Sequence, residues 1–337
     1  MVPQPQSVPV IYNLDKIDQV IATESFESAL IDKIKEGFVL LEQGNFYAAP
    51  IQTMGIAPFE FLQIDGYASQ TCVKSGYFKG GKYYVIKVAS GGFPMPNSGL
   101  MQVYSQKTGR LEALLLDDGI LTEVRTAAVG ALAAKVLAPK VITAIGIVGT
   151  GIQARYQLNM LAGVTDCRTV LVWGRTASKA ETFKKEMDAK GWDVSIAETS
   201  NDLLESCNLI VTTTCAKEPI LGLLENASEK RQSGLHITCI GADAPGKTEL
   251  APSLVAKADL LVADTLNQSL TRGEFQKAVS DGLVSGESIV SLGKLISQID
   301  LHRKENDSRF TIFDSSGVAL QDCVIAEMTY DALRAKE

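Results

Sequence analysis

The chain has 337 residues, 46% hydrophobic and 21% charged, which is enough for two domains with sizeable cores and argues against disorder. Its net charge of −7, with both signs mixed along the chain, disfavours a nucleic-acid partner. No apolar run reaches the ~18 residues of a membrane span, and the start lacks the basic and apolar segments of a secretory signal, so the expected location is cytoplasmic with no membrane partner.

In chain order, residues 24–43 predict an amphipathic helix with Phe26, Leu30, Ile34, Phe38 and Leu41 along one face. Strand-like runs follow between 60 and 116, including 83–88 and 100–104, with a turn at Ser105-Gln106-Lys107-Thr108-Gly109. This first region reads as α+β with a mostly antiparallel sheet. Residues 119–138 predict a helix of small residues, with Thr122 as its cap. From 143 to 314 strands and helices alternate, with strands at 143–148, 169–173, 208–214, 236–240, 259–263 and 310–314. Helices at 151–163, 177–190 and 252–257 lie between them. That pattern predicts a doubly wound parallel sheet. A final helix at about 318–335 is expected to pack back on the first region. The substrate domain, 1–120 plus 318–337, is then discontinuous, with a dinucleotide-binding domain, 121–317, inserted.

Residues 141–154 carry the strongest local signal. An apolar, β-branched run leads into Gly149-Thr150-Gly151-Ile152-Gln153-Ala154 and then into helix-compatible sequence, the strand–turn–helix of a Rossmann-type G-x-G-x-x-A site. Gly149 lets the chain turn sharply. Gly151 lets backbone approach a pyrophosphate, and Ala154 allows close helix packing. The helix start offers N–H groups and a positive dipole end to phosphates. The next strand ends at Trp173 without the acidic residue that holds a ribose 2′-hydroxyl. Arg175, Thr176, Ser178 and Lys179 stand there instead, a set suited to a 2′-phosphate. NADP(H) is therefore favoured and NAD(H) is the alternative. The bland reading of Arg175 and Lys179 is a solvated helix start.

The six cysteines have no C-x-x-C spacing and read as reduced thiols, with Cys215 and Cys239 as packing residues near strand ends. The two histidines, His236 and His302, form no metal-like cluster, so no metal is expected. No G-x-S-x-G elbow is present, which excludes a hydrolase of that type.

Four segments, 114–139, 146–154, 241–250 and 313–322, contain L-T-x-x-R-T-A-A, G-x-G-x-Q-A, G-x-D-x-P-G-K-x-E-L and FDSSGVALQD. In this combination and order the chain resembles the ornithine cyclodeaminase/μ-crystallin family. The resemblance implies a homodimer, an N-terminal substrate and dimerisation domain, and hydride chemistry at an amine or imine carbon beside a carboxylate. An α-amino or imino acid needs a cation for its carboxylate and a proton carrier for its nitrogen. Arg125 could grip a carboxylate with its fork, against a structural ion pair as the alternative. Lys87 lies on a strand where alternation alone points it to solvent. The family's matching lysine instead implies a role in carboxylate binding and proton transfer. Asp243, just past the carboxyl end of a strand, is the expected catalytic base, against an ordinary turn aspartate. Thr212, Thr213 and Thr214 are expected on the cofactor rim. Ser316 and Gly317 read equally as nicotinamide neighbours or as a turn.

The chain departs from the family at Ala49-Pro50-Ile51-Gln52-Thr53, where Gln52 stands in place of an arginine that grips the substrate carboxylate. The loop Gly91-Gly92-Phe93-Pro94-Met95-Pro96-Asn97 is also slightly short. Both changes count against ornithine itself. The expected activity is that of an ornithine cyclodeaminase-like NAD(P)-dependent enzyme, converting ornithine to proline and ammonia. The alternatives are a ketimine or imino acid reductase, an amino acid dehydrogenase, or a crystallin-like protein that binds NADPH and a small ligand without turnover.

Overall fold

The computed structural model describes residues 8–55, 68–93, 97–222, 234–298, 303 and 307–337. The segment 94–96 and His302, both considered above, lie outside them. The chain divides into two compact units, 1–125 with 318–337, and 126–317.

The first unit begins with β1 (Val10–Tyr12), α1 (Leu14–Ile21), α2 (Glu24–Glu42), β2 (Phe46–Ala48), β3 (Gln52–Gly55), β4 (Ala68–Phe78), β5 (Tyr83–Phe93), β6 (Ser98–Ser105) and β7 (Leu111–Leu115). Thr23 caps α2 by accepting the Phe26 N–H at 3.3 Å. The sheet order is β1-β7-β6-β5-β4-β2, with β3 also paired to β4. All pairs are antiparallel except β1 with β7. The turn after β6 closes as predicted, with the Gly109 N–H bonded to the Ser105 carbonyl and Gly109 at φ 71°.

The next helix, α3 (Ile120–Leu137), is not capped by Thr122, which lies inside its first turn. The Asp117 carboxylate accepts the Leu121 N–H at 3.1 Å instead. The chain enters the helix through two left-handed residues, Asp118 at φ 49° and Gly119 at φ 88°. Asp, unlike most residues, tolerates that conformation, which frees Asp117 to serve the helix start.

The second unit contains β8 (Ile145–Val148), α4 (Ile152–Leu161), β9 (Thr169–Trp173), α5 (Ala177–Asp188), β10 (Asp193–Ile196), α6 (Asp202–Ser206), β11 (Leu209–Thr212) and β12 (Leu235–Cys239). It continues with α7 (Pro252–Val255), β13 (Leu260–Ala263), α8 (Leu266–Arg272), α9 (Gln276–Ser280), β14 (Val290–Ser291), α10 (Leu292–Ser297) and β15 (Phe310–Asp314). The strands form one parallel sheet in the order β10-β9-β8-β11-β12-β15-β13-β14. It is the doubly wound Rossmann-type sheet expected from the alternating pattern. One apolar cluster gathers Leu203, Ile210, Ile237, Leu254, Phe275 and Ile312, and a second gathers Ile145, Ile147, Leu158, Phe183, Trp192 and Val211. Their central strands are buried along their whole length, which is why they read as continuous apolar runs. The order reverses between β8 and β11, and ligands of such sheets bind at the carboxyl ends beside that reversal.

The last helix, α11 (Ala319–Arg334), belongs to the first unit and packs on α2, β4 and β5. Gly37 of α2 makes room for it, since a Cβ there would stand 3.2 Å from Leu320 Cδ2. Leu30, Ile34, Phe38, Val85, Met101, Val103, Leu115 and Ile325 are all buried in this unit.

Candidate active site

In the second unit the glycine turn stands at the switch point. Gly149 has φ 112°, and a Cβ on it would lie 2.7 Å from Thr213 Oγ1. Its N–H bonds to the Trp173 carbonyl at 2.8 Å, which ties the turn to the end of β9. A Cβ on Gly151 would meet nothing within 4 Å, so at this point backbone faces open space. Gly151 also starts α4, and no side chain caps that helix. The first N–H groups of the helix are thus left for an incoming ligand, the arrangement that binds phosphate. Ala154 is buried, Ile152 is exposed, and Gln153 accepts a bond from Gln157 at 3.2 Å. A shallow pocket here is lined by Thr150, Gly151, Ile152, Arg155, Lys179 and Thr182. These features fit a dinucleotide pyrophosphate. Arg175 and Thr176 are exposed at the start of α5, with Lys179 one turn on.

The rim is built by carboxylates that the sequence reading left without a role. Glu249, fully buried, accepts from Thr212 Oγ1 at 2.6 Å, the Thr214 N–H at 2.6 Å and the Gly241 N–H at 2.9 Å. One side chain therefore joins the ends of β11 and β12. Thr213 bonds through both N–H and Oγ1 to the Val148 carbonyl, so it faces the glycine turn. Glu274 accepts the N–H groups of Glu249 and Leu250. Burial, then the neighbouring Glu249, raises its pKa to about 8. Asp264 accepts the Gly317 N–H at 2.8 Å and Ser315 Oγ at 3.2 Å, and Ser316 Oγ reaches Gln268 Oε1 at 3.1 Å. Ser316 and Gly317, at φ 81°, thus sit in a buried turn held by Asp264.

Asp243 lies past β12 with its side chain 56% exposed, and Lys247 Nζ donates to it at 2.6 Å. His236 is buried between Thr311 and Thr238 hydroxyls, and burial lowers its pKa to about 3, so it is a neutral core residue. Cys239 is buried, but Cys215 is exposed, which corrects its reading as a packing residue: it lies past the end of β11. Among the described residues no group of His, Cys, Asp and Glu could hold a metal, and no helix is long and apolar enough to cross a membrane.

In the first unit, Lys87 is 3% exposed, so the alternation argument placed it on the wrong face. It lies on the same face of β5 as buried Tyr83 and Val85. Lys87 Nζ donates to Asp322 Oδ1 at 2.9 Å. Arg125 Nε lies 2.9 Å from the same oxygen, without hydrogen-bond geometry, and Arg125 Nη1 donates to Gln321 Oε1 at 2.5 Å. Asp322 and Gln321 stand in the first turn of α11, where the helix dipole favours an anion. Among the described residues Asp322 Oδ2 has no hydrogen-bond partner. Lys74, buried on β4, is directly paired in register with Lys87.

Electrostatics tie these groups together. Burial lowers the Lys87 pKa to about 8; Asp322 opposes the shift, while Arg125 and Lys74 add to it. Burial pushes Asp322 up, but Lys87, Arg125 and Lys74 together hold it below the ordinary value. Burial raises Asp117 to about 6 against the N–H bonds it accepts. Cations held on one carboxylate, with donor geometry to spare, can take up a second carboxylate.

Gln52 is not brought to this cluster. It is exposed on β3 and pairs with Val73, whose side chain lies on the opposite face of the sheet from Lys74. Asp322 and Lys74 were the residues the sequence reading missed. Asp322 closes the segment 313–322, so its motif was visible although its partners were not.

The ornithine cyclodeaminase/mu-crystallin family model matches residues 14–337. A Delta(1)-pyrroline-2-carboxylate reductase of Bacillus cereus is 32% identical over 237 residues, 69% of this chain and 70% of its own length. The solved iminosuccinate reductase of Paracoccus denitrificans in complex with NAD+ is 25% identical, with 97% of each chain covered and a TM-score of 0.80. A solved archaeal alanine dehydrogenase dimer with bound NAD is 27% identical, with 97% of each chain covered and a TM-score of 0.82. These relatives are by name oxidoreductases of amino or imino acids, and two of them hold NAD. A match over nearly the whole chain makes this chain a member of the ornithine cyclodeaminase/mu-crystallin family.

Proposed function

We propose that the protein is a nicotinamide-dependent reductase of an imino acid, running in reverse as an amino acid dehydrogenase. The observation that carries this reading is the buried pair of cations, Lys87 and Arg125, sharing one oxygen of Asp322. In this reading Arg125 and Lys87 hold the α-carboxylate of the substrate. That grip fixes the adjacent C=N carbon and so lowers the entropic part of the barrier. The reduced dinucleotide, when bound at Gly149–Ala154, supplies the hydride. Asp243 carries the proton to or from the substrate nitrogen, and Lys247 pairs with its carboxylate at 2.6 Å.

Arg175 and Lys179 at the start of α5 support NADPH, with NADH the alternative that the NAD-bound relatives favour. Assembly as a homodimer is part of the reading, and the archaeal relative is named as a dimer. Light scattering on the purified protein tests it.

Ornithine cyclodeamination is the second reading, supported by family membership. It requires the site to accept a side-chain ammonium. The relatives named as imino acid reductases support simple reduction as the first reading. The test is loss of NADH or NADPH absorbance with pyrroline-2-carboxylate and with 2-oxo acids plus ammonium, beside ammonia release from ornithine. Reduction of an imine without ornithine turnover supports the first reading. Ammonia from ornithine with no net cofactor change supports the second. Cofactor binding without any turnover would leave a crystallin-like binding protein.

A further inference from the structure

Arg155, in the first turn of α4, folds back onto the glycine turn that precedes it. Its Nη1 donates to the Thr150 carbonyl at 2.7 Å and to the Gly151 carbonyl at 3.0 Å. Its Nε donates to Glu186 of α5 at 2.6 Å, and its guanidinium lies over the ring of buried Phe183, 5.3 Å from the centroid. Two contacts from α5 thus fix the guanidinium, and the guanidinium fixes two peptide planes of the turn. In a trans peptide the carbonyl and the following N–H point in opposite directions. The Thr150 carbonyl shares its plane with the Gly151 N–H, and the Gly151 carbonyl shares its plane with the Ile152 N–H. Both N–H groups are therefore turned away from Arg155. They stand at the start of α4, where the helix itself offers no acceptor. Glycine has too permissive a backbone to hold such an orientation alone. A charged donor also polarises the peptides it binds, which strengthens the N–H groups at their other ends.

We infer that Arg155 is a positioning residue for the dinucleotide: its clamp on the Thr150 and Gly151 carbonyls presents the Gly151 and Ile152 N–H groups to the pyrophosphate. This rests on the dinucleotide site of the proposed function and adds the side chain that holds it ready. Arg155 also lines the shallow pocket with Lys179, but its donors are spent on the turn and on Glu186. Its effect therefore falls on the pyrophosphate, which NADH and NADPH share, and not on the 2′-phosphate that separates them.

The test is a calorimetric titration of NADH and of NADPH into the wild type and Arg155→Met, which keeps an apolar stem against Phe183 and removes every donor. Arg155→Met should weaken both dinucleotides by the same factor, about 10-fold or more, the scale of lost bonds from a charged donor. The melting temperature of the free protein should stay near the wild-type value. Arg155→Lys, which can still donate to a carbonyl, should recover part of the affinity. A second readout needs no variant: in the wild type, amide exchange at Gly151 and Ile152 should slow when NADH is bound. An affinity that Arg155→Met leaves unchanged overturns the inference and leaves the dinucleotide site standing. A loss confined to NADPH overturns it by making Arg155 a direct partner of the 2′-phosphate. A wild type that binds neither dinucleotide overturns the cofactor reading and the inference with it. Should Arg155→Met not fold, exchange at Gly151 and Ile152 that bound NADH does not slow still overturns the inference.

Discussion

Each unit buries charge, and they do so in opposite ways. In the second unit the buried charges are mainly carboxylates, with Arg303 bonded to backbone carbonyls, and Glu249 and Glu274 spend their oxygens on backbone N–H groups and threonine hydroxyls. In the first unit the buried groups are mainly cations, crowded onto one carboxylate whose second oxygen has no partner among the described residues. A satisfied buried charge fixes structure, whereas an under-bonded one is ready for a ligand. In the proposed reading the contrast separates a scaffold cluster at the cofactor rim from a recognition cluster for the substrate carboxylate.

Lys87→Met should produce the largest effect of all. It leaves Asp322 buried without its best partner, which costs about 3–5 kcal/mol of stability, and it removes half of the carboxylate grip. Steady-state rates should fall by ~10³-fold or more, while denaturant melts report the stability loss. In the proposed reading the protonated lysine holds the carboxylate. With its pKa lowered to about 8, kcat/KM should hold below that value and fall as pH rises through it. Lys87→Arg should move this limb to higher pH.

Glu249→Gln tests the scaffold side. A glutamine has one acceptor oxygen in place of two, so at least one of the bonds from Thr212, Thr214 and Gly241 is lost. A loss of about 1–3 kcal/mol is expected, with a raised KM for the dinucleotide and little change in KM for the imino acid. The reverse pattern would place Glu249 in substrate recognition and erase the contrast.

The scaffold carboxylates also set a pH slope. Glu274, raised from 4.5 to about 8, and Asp314, raised to about 7, favour their protonated forms when folded. Their contribution is fully present below the unfolded pKa and is lost as pH rises through the folded value. The melting temperature should therefore fall between pH 5 and 8, and Glu274→Gln should flatten that fall. The smallest effect is expected at Arg175, exposed just before α5. Arg175→Ala should raise KM for NADPH about tenfold and leave KM for NADH unchanged.

Much of this contrast was legible in the sequence on the scaffold side and little on the recognition side. The fully buried parallel strands announce themselves as apolar runs, and the glycine turn carries its own spacing. β10 was missed because Asp193 and Ser195 alternate with its apolar residues, and β14 because it is only two residues long. On β5 alternation failed for a specific reason: the half-buried Tyr84, Ile86 and Val88 make the far face apolar too, so no polar face marks the outside. Arg125 was visible inside its motif. Lys87 and Asp322 become partners only when β5 and α11 come together, and no local pattern encodes that meeting.

The claim that the cation cluster holds the substrate carboxylate is tested most directly by Arg125→Lys, which keeps the charge and removes the fork. Measured with the best imino acid, KM for that substrate should rise by about 10-fold or more, and KM for the dinucleotide should stay at the wild-type value. An unchanged KM for the imino acid, or an equal rise in both constants, would contradict it.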